Sequence, residues 1–302
     1  MIVRSRPNFF QLFFIMRGSV LPRVLPHIFG FAAYGAGVTA LFHWLRWDWG
    51  PGGIAPFALV GVALSIYLGF RNSAAYDRWW EARKLWGQLV FDTRNLARAV
   101  SGLVADESER RRMLRSVPGF AHFLRGQVRG VDGTKEAAAF LGAAEAARHA
   151  GSNNPADSVL RAMGAQAGHL FRTGSVDSIG FRILDERLSA FSAVQAGCER
   201  IAGTPLPFAY TLLLQRTAYV FCLLLPWGMA SAMGWLTPLF TGLMAYTFFA
   251  LDALSEELED PFGTEANDLA LDALCRVCEI SVAESLGDPP PPPLAPERFY
   301  YS

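Results

Sequence analysis

The sequence predicts an all-helical membrane protein with four membrane-spanning helices and a helical cytosolic domain. Of its 302 residues, 52% are hydrophobic and 18% are charged, whereas soluble domains usually carry about 25% charged residues. Two long stretches contain no Asp, Glu, Lys or Arg, one between Arg23 and Arg46 and one from Thr217 to Leu251. The net charge of zero gives no basic field that would indicate a nucleic-acid partner.

Residues 1–22 are expected to form a cytosolic or interfacial segment. The start, MIVRSRPNFFQLFF, places arginines before a short apolar stretch, as a signal peptide does. Arg17 and Arg23 follow it, and no convincing small-x-small cleavage site is present. We therefore interpret the segment as an amphipathic part of the mature protein that lies in the membrane interface.

Residues 23–70 are predicted to contain the first two membrane helices. The core LPHIFGFAAYGAGVTALFHWL is long enough to span, since about 20 apolar residues suffice. Tryptophans cluster at its end, as aromatic residues do at a membrane interface: Trp44, Trp47 and Trp49. After a short turn, the second span runs from Ile54 to Phe70.

Residues 207–252 are predicted to form the third and fourth spans. Their charge-free part is too long for one span and suits a hairpin that turns at PWGMASAMGWLTP. Basic residues lie before the first span and after the second, and the outer loops hold no Lys or Arg except Arg46. The positive-inside rule therefore places both termini in the cytoplasm.

The rest of the chain is assigned to the cytoplasm. Residues 71–206 are rich in Ala, Leu, Arg and Glu, which favour helix. Helix breaks are expected at Pro118–Gly119, Gly130–Gly133 and Gly151–Pro155. Residues 253–302 combine an acidic helix with a proline-rich tail.

The run PFALVGVALSIYLGFRNSAAYDRWWEARKLW begins as an uncharged membrane helix and becomes highly charged without a break. Val62, Ile66 and Phe70 recur every four residues and therefore share one face, which we call the apolar stripe. Small residues at the same spacing let a neighbouring helix approach closely: Gly61, Ser65 and Gly69. The apolar stripe then points elsewhere, either towards a pore axis or into ordinary helix packing.

A second stripe, made of acidic and amide side chains, continues along the same face of the helix after Phe70. We call it the acidic stripe. At about 100° per residue, Asp77, Glu81, Gln88 and Asp92 fall within about 60° of one another. A pore face built this way would pass from an apolar constriction into an acidic vestibule, and acidic rings concentrate cations. Lys84 near the same face weakens this interpretation. The alternative is a solvated face, or one whose carboxylates pair with neighbouring arginines.

The cysteines and histidines offer no recognisable enzyme site. Cys275 and Cys278 form C-x-x-C, but no second C-x-x-C or nearby His completes a zinc site, so buried thiols are expected. No H-E-x-x-H, G-x-S-x-G, P-loop or dinucleotide fingerprint accompanies His122, His149 and His169. The chain is therefore not expected to be an enzyme.

Three blocks of the chain, in order, resemble the bacterial bestrophin family. They are GFRNSAAYDRWWEARKLWG at Gly69–Gly87, CERIAGTPLPFAY at Cys198–Tyr210 and ALDALSEELEDPFGTEANDLALD at Ala250–Asp272. The resemblance covers nearly the whole chain outside residues 106–175. It implies a homopentameric channel in the bacterial inner membrane, with membrane lipids and monovalent ions as its other partners. Each subunit would contribute its second helix to one central pore.

The resemblance also implies positions for two constrictions. It places a hydrophobic neck on Val62, Ile66 and Phe70, the apolar stripe. It further implies a cytosolic exit constriction made by an isoleucine, for which Ile179 in SVDSIGFRIL is the candidate and Ile183 the alternative.

Eukaryotic members of that family use an acidic run after the fourth span to bind calcium. The matching residues here are Glu256, Glu257, Glu259 and Asp260. They lack the unbroken aspartate string of the family, so no cofactor is expected to be required. Clustered carboxylates leave weak binding of a divalent cation open, and a solvated acidic cap is the alternative.

The predicted function is passive conduction of monovalent cations, with sodium or potassium as the ion. The acidic stripe and a neck with one aromatic residue in three support this prediction, as does the resemblance to bacterial members. The first alternative is an anion channel like the eukaryotic members, whose necks are richer in phenylalanine with its positive ring edge. More remotely, the chain could serve as a non-conducting membrane scaffold or as a membrane enzyme.

Overall fold

The computed structural model describes residues 1–3, 8–10, 15–16, 18–47 and 55–301. Trp49 and Ile54, at the predicted first turn, and Arg17 in the predicted interfacial segment lie outside these ranges. The described residues are nearly all helical, which confirms the predicted fold class, and they form only isolated β-bridges. The helices are α1 (Leu21–Leu45), α2 (Ala55–Leu103), α3 (Glu107–Arg129), α4 (Thr134–Leu141), α5 (Ala143–Ala150), α6 (Pro155–Arg172), α7 (Ser178–Gly203), α8 (Phe208–Met233), α9 (Thr237–Glu259) and α10 (Leu271–Leu286).

The chain divides into two compact units. The membrane unit consists of Ser5–Trp79 and Pro205–Asp260. The polar unit consists of Met1–Arg4, Trp80–Thr204 and Pro261–Ser302.

Three helical stretches of the described chain are long and apolar enough to cross a membrane: Leu21–Leu45, Pro56–Leu103 and Phe208–Glu259. The third stretch is divided by a 3-10 turn at Gly234–Leu236, where Gly234 has a φ of 51° that favours glycine. The two resulting helices, α8 and α9, have 26 and 23 residues. Each exceeds the roughly 20 residues that a span requires. The four-span topology therefore stays a prediction that is compatible with these lengths.

Helices α1 and α9 pack closely through small residues. A Cβ atom at Gly35 would lie 3.1 Å from Thr241 Oγ1 and 3.3 Å from Pro238 Cα. A Cβ atom at Gly242 would lie 3.3 Å from Ala32 Cβ. Close approach of this kind replaces the hydrophobic driving force that is missing between helices in lipid.

The predicted stripe of small residues on α2 is only partly in contact. A Cβ atom at Gly61 would lie 3.2 Å from the ring of Phe221 on α8, whereas one at Gly69 would meet nothing within 4 Å. The Ser65 hydroxyl donates to the carbonyl of Gly61 at 2.8 Å. Among the described residues, only the Gly61 end of this stripe packs against a neighbouring helix of the same chain.

The core of the polar unit is built mainly from α3, α6 and α7. Phe120 of α3 and Phe191 of α7 are buried and meet edge to face, with ring centroids 5.6 Å apart. The side chains that cap α3, α6 and α7 each accept a backbone N–H of the first turn: Asp106, Asn154 and Asp177. The breaks predicted after Gly130 and Gly151 lie between helices.

The predicted break at Pro118 is wrong, because α3 continues through it. Proline inside a helix costs about 3 kcal/mol. Here the residues around it are buried, and Gly119 lets Leu141 of α4 come so close that a Cβ atom would lie 2.7 Å from its Cγ. Tertiary packing thus holds the helix across a residue that would end it in isolation.

We expect Gly35→Leu to destabilise the membrane unit. The new side chain has no room against Thr241 and the backbone of Pro238, and overpacking of this kind costs about 1–3 kcal/mol of unfolding free energy. Melting of the detergent-solubilised protein, followed by size-exclusion chromatography, measures the change. Gly30→Leu is the matched control, because a Cβ atom there meets nothing within 4 Å. An equal loss in both variants would contradict the packing argument.

Candidate functional site

The apolar stripe of α2 faces outward in the single chain. Val62, Ile66 and Phe70 are 60%, 54% and 63% exposed. Leu64 and Leu68 on the same helix are 2% and 1% exposed, because they face the core of the membrane unit. The stripe is thus free to meet a pore axis, lipid or a second copy, and its role in the neck stays a prediction.

The surroundings of the stripe are almost wholly apolar. Val62 and Ile66 border a groove of about 630 Å³, whose other side is formed by residues of α8 and α9 that include Phe221, Leu225 and Met244. The hydroxyl of Ser65 in this groove is already bonded to the backbone of its own helix. A surface of this kind offers an ion no replacement for its hydration shell.

The carboxylates of the predicted acidic stripe differ in their exposure and in their partners. Asp77 is exposed in the membrane unit. In the polar unit, Glu81 forms an ion pair with Arg200, with 2.5 Å between Oε1 and Nη2. Asp92 is 2% exposed and accepts a hydrogen bond of 3.0 Å from Gln88. The predicted alternative, pairing with a neighbouring arginine, describes Glu81.

A buried arginine holds the start of the charged part of α2, and its role was not predicted from the sequence. Arg71 is 1% exposed and forms ion pairs with Asp252, which it contacts directly, and with Glu259, at 3.6 Å between Nη2 and Oε2. Gln215 donates to Asp252 at 3.1 Å, and the N–H of Leu206 donates to Glu259 at 3.1 Å. We call this group the Arg71 clamp. The signal that could have revealed it is a charged residue directly after a long apolar run.

Carboxylates of the acidic run at the end of α9 form ion pairs with arginine. Glu256 pairs with Arg23 at 2.7 Å, and Glu259 belongs to the Arg71 clamp. Glu257 is half-buried, and Asp260 is exposed where α9 ends. Across the part of the chain that the structure describes, no three His, Cys, Asp or Glu side chains are grouped so that they could hold a metal ion. Within this run, Glu256 and Glu259 are already engaged by arginine side chains.

The candidate for the exit constriction lies in the first turn of α7. Ile179 is 68% exposed, whereas the alternative, Ile183, is half-buried. The side chain of Asp177 caps this turn by accepting the N–H of Gly180 at 2.7 Å. The exposure therefore favours Ile179 as the residue that could face a pore.

The cysteines outside the membrane spans are buried thiols. Burial raises the pKa of Cys198 to about 12 and that of Cys278 to about 11. Burial also raises the pKa of Cys275 well above its usual value. A thiolate is the form that reacts and binds metal, so the C-x-x-C pair lacks that form at neutral pH.

Two of the histidines considered as enzyme candidates have structural partners in the polar unit. His122 Nε2 lies 2.7 Å from Glu279 Oε1, and its ring stacks on Phe140 with centroids 5.8 Å apart. His149 Nδ1 lies 2.9 Å from the hydroxyl of Ser158, and burial lowers its pKa. Both contacts are those of packed core residues.

The sequence matches the family model "Bacterial/Fungal Bestrophin protein" over residues 1–284. A voltage-dependent anion channel-forming protein of Mesorhizobium japonicum is 67% identical over 302 residues, which cover 100% of this chain and 97% of the relative. A protein described in the same words, from Escherichia coli K12, is 41% identical over 301 residues and 99% of each chain.

Solved structures agree with the sequence matches. A crystal structure of a bacterial bestrophin homolog from Klebsiella pneumoniae, phased from zinc, superimposes with a TM-score of 0.82 at 36% identity. The match covers 90% of this chain and 100% of the other. A point variant of the Klebsiella homolog gives a TM-score of 0.84 at 36% identity, over 88% of this chain and 100% of the other.

Replacing Arg71 by leucine should strongly destabilise the membrane unit. The carboxylates of Asp252 and Glu259 would lose their buried cation, and breaking a buried ion pair in this way costs about 3–5 kcal/mol of unfolding free energy. Arg23→Gln is the control, because its pair with Glu256 is half exposed and is worth about 0–1 kcal/mol. Thermal melting in detergent measures both, and similar melting temperatures for the two variants would refute the clamp.

Proposed function

The chain belongs to the bacterial bestrophin family and is an ion channel rather than an enzyme, and from that premise we propose that five copies surround one central pore. The second helix, α2, of each copy lines the pore, and Val62, Ile66 and Phe70 form its neck. The observation that carries this proposal is the outward-facing apolar stripe, more than half exposed on a helix whose leucines are buried.

The neck controls conduction through its lack of polar groups. Rings of methyl groups and aromatic carbon give a passing ion no ligand, so a narrow ring loses water readily and blocks the ion. Small changes in the radius of such a ring therefore gate the flow. Ile179, exposed at the first turn of α7, forms a second constriction at the cytosolic exit.

Monovalent cations, with sodium first, are the proposed permeant ions. The exposed carboxylate of Asp77, about two turns beyond the neck residue Phe70, supports this choice. Anions are the second candidate, because the related proteins from Mesorhizobium japonicum and Escherichia coli are described as anion channel-forming. The exposed Lys84 and the neutralisation of Glu81 by Arg200 also favour anions.

The proposed setting is the bacterial inner membrane, crossed four times, with both termini in the cytoplasm. Basic residues before α1 and within α2 after Phe70 support this orientation by the positive-inside rule. Lipids then surround the outer faces of the membrane unit. No cofactor is needed for conduction. A divalent cation at the acidic run would have to displace Arg23 and Arg71, so any binding there is weak.

The reversal potential of the purified protein in a planar bilayer under a NaCl gradient tests this function directly. We expect a value near the sodium equilibrium potential. A value near the chloride potential would establish the second candidate. Crosslinking the same preparation in mild detergent should stop at five subunits. A stable dimer, or the absence of ion flux, would refute the proposed channel.

Ile66→Ala should raise the single-channel conductance. The substitution widens the neck and shortens its apolar wall, which lowers the barrier to wetting. Val60→Ala is the matched control. Val60 is 45% exposed on the same helix but lies about 120° away from Ile66 around its axis. Unchanged conductance in well-assembled Ile66→Ala, or equal changes in both variants, would remove Ile66 from the pore wall.

A further inference from the structure

We propose that Arg200 is a specificity-determining residue of this channel, because it neutralises Glu81 and so sets the charge of the vestibule beyond the neck. This inference deepens the proposed function and rests on it. It assigns to α7, a helix outside the predicted membrane spans, a direct influence on which ion passes.

The geometry of the pair is that of a charge-assisted hydrogen bond at a wet surface. Arg200 Nη2 donates to Glu81 Oε1 at 2.5 Å, and the two side chains are 63% and 41% exposed. An exposed ion pair contributes little to stability. Its charges nevertheless face water, where they act on ions that pass nearby.

Close packing of α7 against α2 holds the pair together. A Cβ atom at Gly197 would lie 2.8 Å from both methyl groups of Leu85. Gly197 lies one turn before Arg200, and Leu85 lies one turn after Glu81, so this approach brings the two charged side chains within reach. Ile201, next to Arg200, is 3% exposed and anchors the inner face of α7.

The adjacent carboxylate does not compete for Arg200. Glu199 Oε1 already accepts three amide hydrogen bonds, from Gln127 at 3.0 Å, Asn154 at 2.7 Å and Gln195 at 2.8 Å. The guanidinium of Arg200 is therefore directed to Glu81.

In a ring of five subunits, Glu81 and Arg200 together determine the net charge that a passing ion meets at this level. With the pair intact, each subunit contributes no net charge from these two positions. Without Arg200, each of five subunits would present the carboxylate of Glu81, and a ring of carboxylates attracts cations. Without Glu81, five guanidinium groups would attract anions instead.

Reversal potentials of purified, reconstituted channels under a NaCl gradient test this inference. Arg200→Gln should move the sodium-to-chloride permeability ratio towards sodium, and Glu81→Gln should move it towards chloride, each by on the order of threefold. The double variant should return close to the wild type, since neither charge remains. Both shifts should shrink at high ionic strength, because salt screens exposed charges.

Three control variants separate charge from fold. Arg200→Lys keeps the positive charge and should keep the wild-type ratio. Arg161→Gln removes an ion pair of similar exposure on α6, in which Arg161 Nε lies 2.9 Å from Asp157 Oδ2, and should leave the permeability ratio unchanged. The exchange of the two residues, Glu81→Arg with Arg200→Glu, should also preserve the ratio and serves if Arg200→Gln fails to assemble.

The outcomes distinguish this inference from the proposed function. Currents in every variant with one unchanged reversal potential would overturn the role of Arg200 and leave the channel intact. An equal shift in Arg161→Gln, or a shift in the exchanged pair, would overturn it as well. A wild-type protein that passes no ions would instead refute the channel itself.

Discussion

The membrane unit depends on the ion pairs that the buried guanidinium of Arg71 forms with Asp252 and Glu259. Removing such a charge from water costs several kcal/mol, and the two carboxylates of Asp252 and Glu259, with their own hydrogen-bond donors, offset this cost. Arg71 directly follows Phe70, the last residue of the apolar stripe. The clamp therefore fixes the rotation of α2 about its own axis, and this rotation decides which face of the helix is presented outward.

Small residues and the Arg71 clamp both hold α9, in different ways. The close contacts at Gly35 and Gly242 join α9 to α1 through van der Waals packing, beside the exposed ion pair of Arg23 with Glu256, so they supply proximity but little directional preference. The clamp supplies direction, because a guanidinium that binds two carboxylates accepts them only in certain positions. Together they leave Val62 and Ile66 exposed beside an apolar groove, a surface that a soluble monomer would rarely display.

Charge on the α2 face is a property of pairs rather than of single residues. Glu81 and Asp92 lie close together on a helical wheel, yet one is bound to an arginine of α7 and the other is buried. A helical-wheel projection of the sequence treats both side chains as free carboxylates and therefore predicts a vestibule that strongly attracts cations. Tertiary partners reduce the exposed carboxylates of that set to Asp77 and the paired Glu81. Under the proposed function, residues far from α2 in sequence would therefore tune ion selectivity.

The sequence alone determined the helical class, the long apolar segments and the apolar stripe, because hydropathy and the 3.6-residue period are local properties of a chain. Through a family resemblance it also indicated Ile179 as the candidate for an exit constriction, without excluding Ile183. Only the tertiary structure decided that Arg71 is buried and that Glu81 meets Arg200. Tertiary packing also decided that α3 continues past Pro118. Arg71 and Asp252 are separated by 181 residues, and Glu81 and Arg200 by 119. No local pattern specifies which distant segment packs against a given helix face.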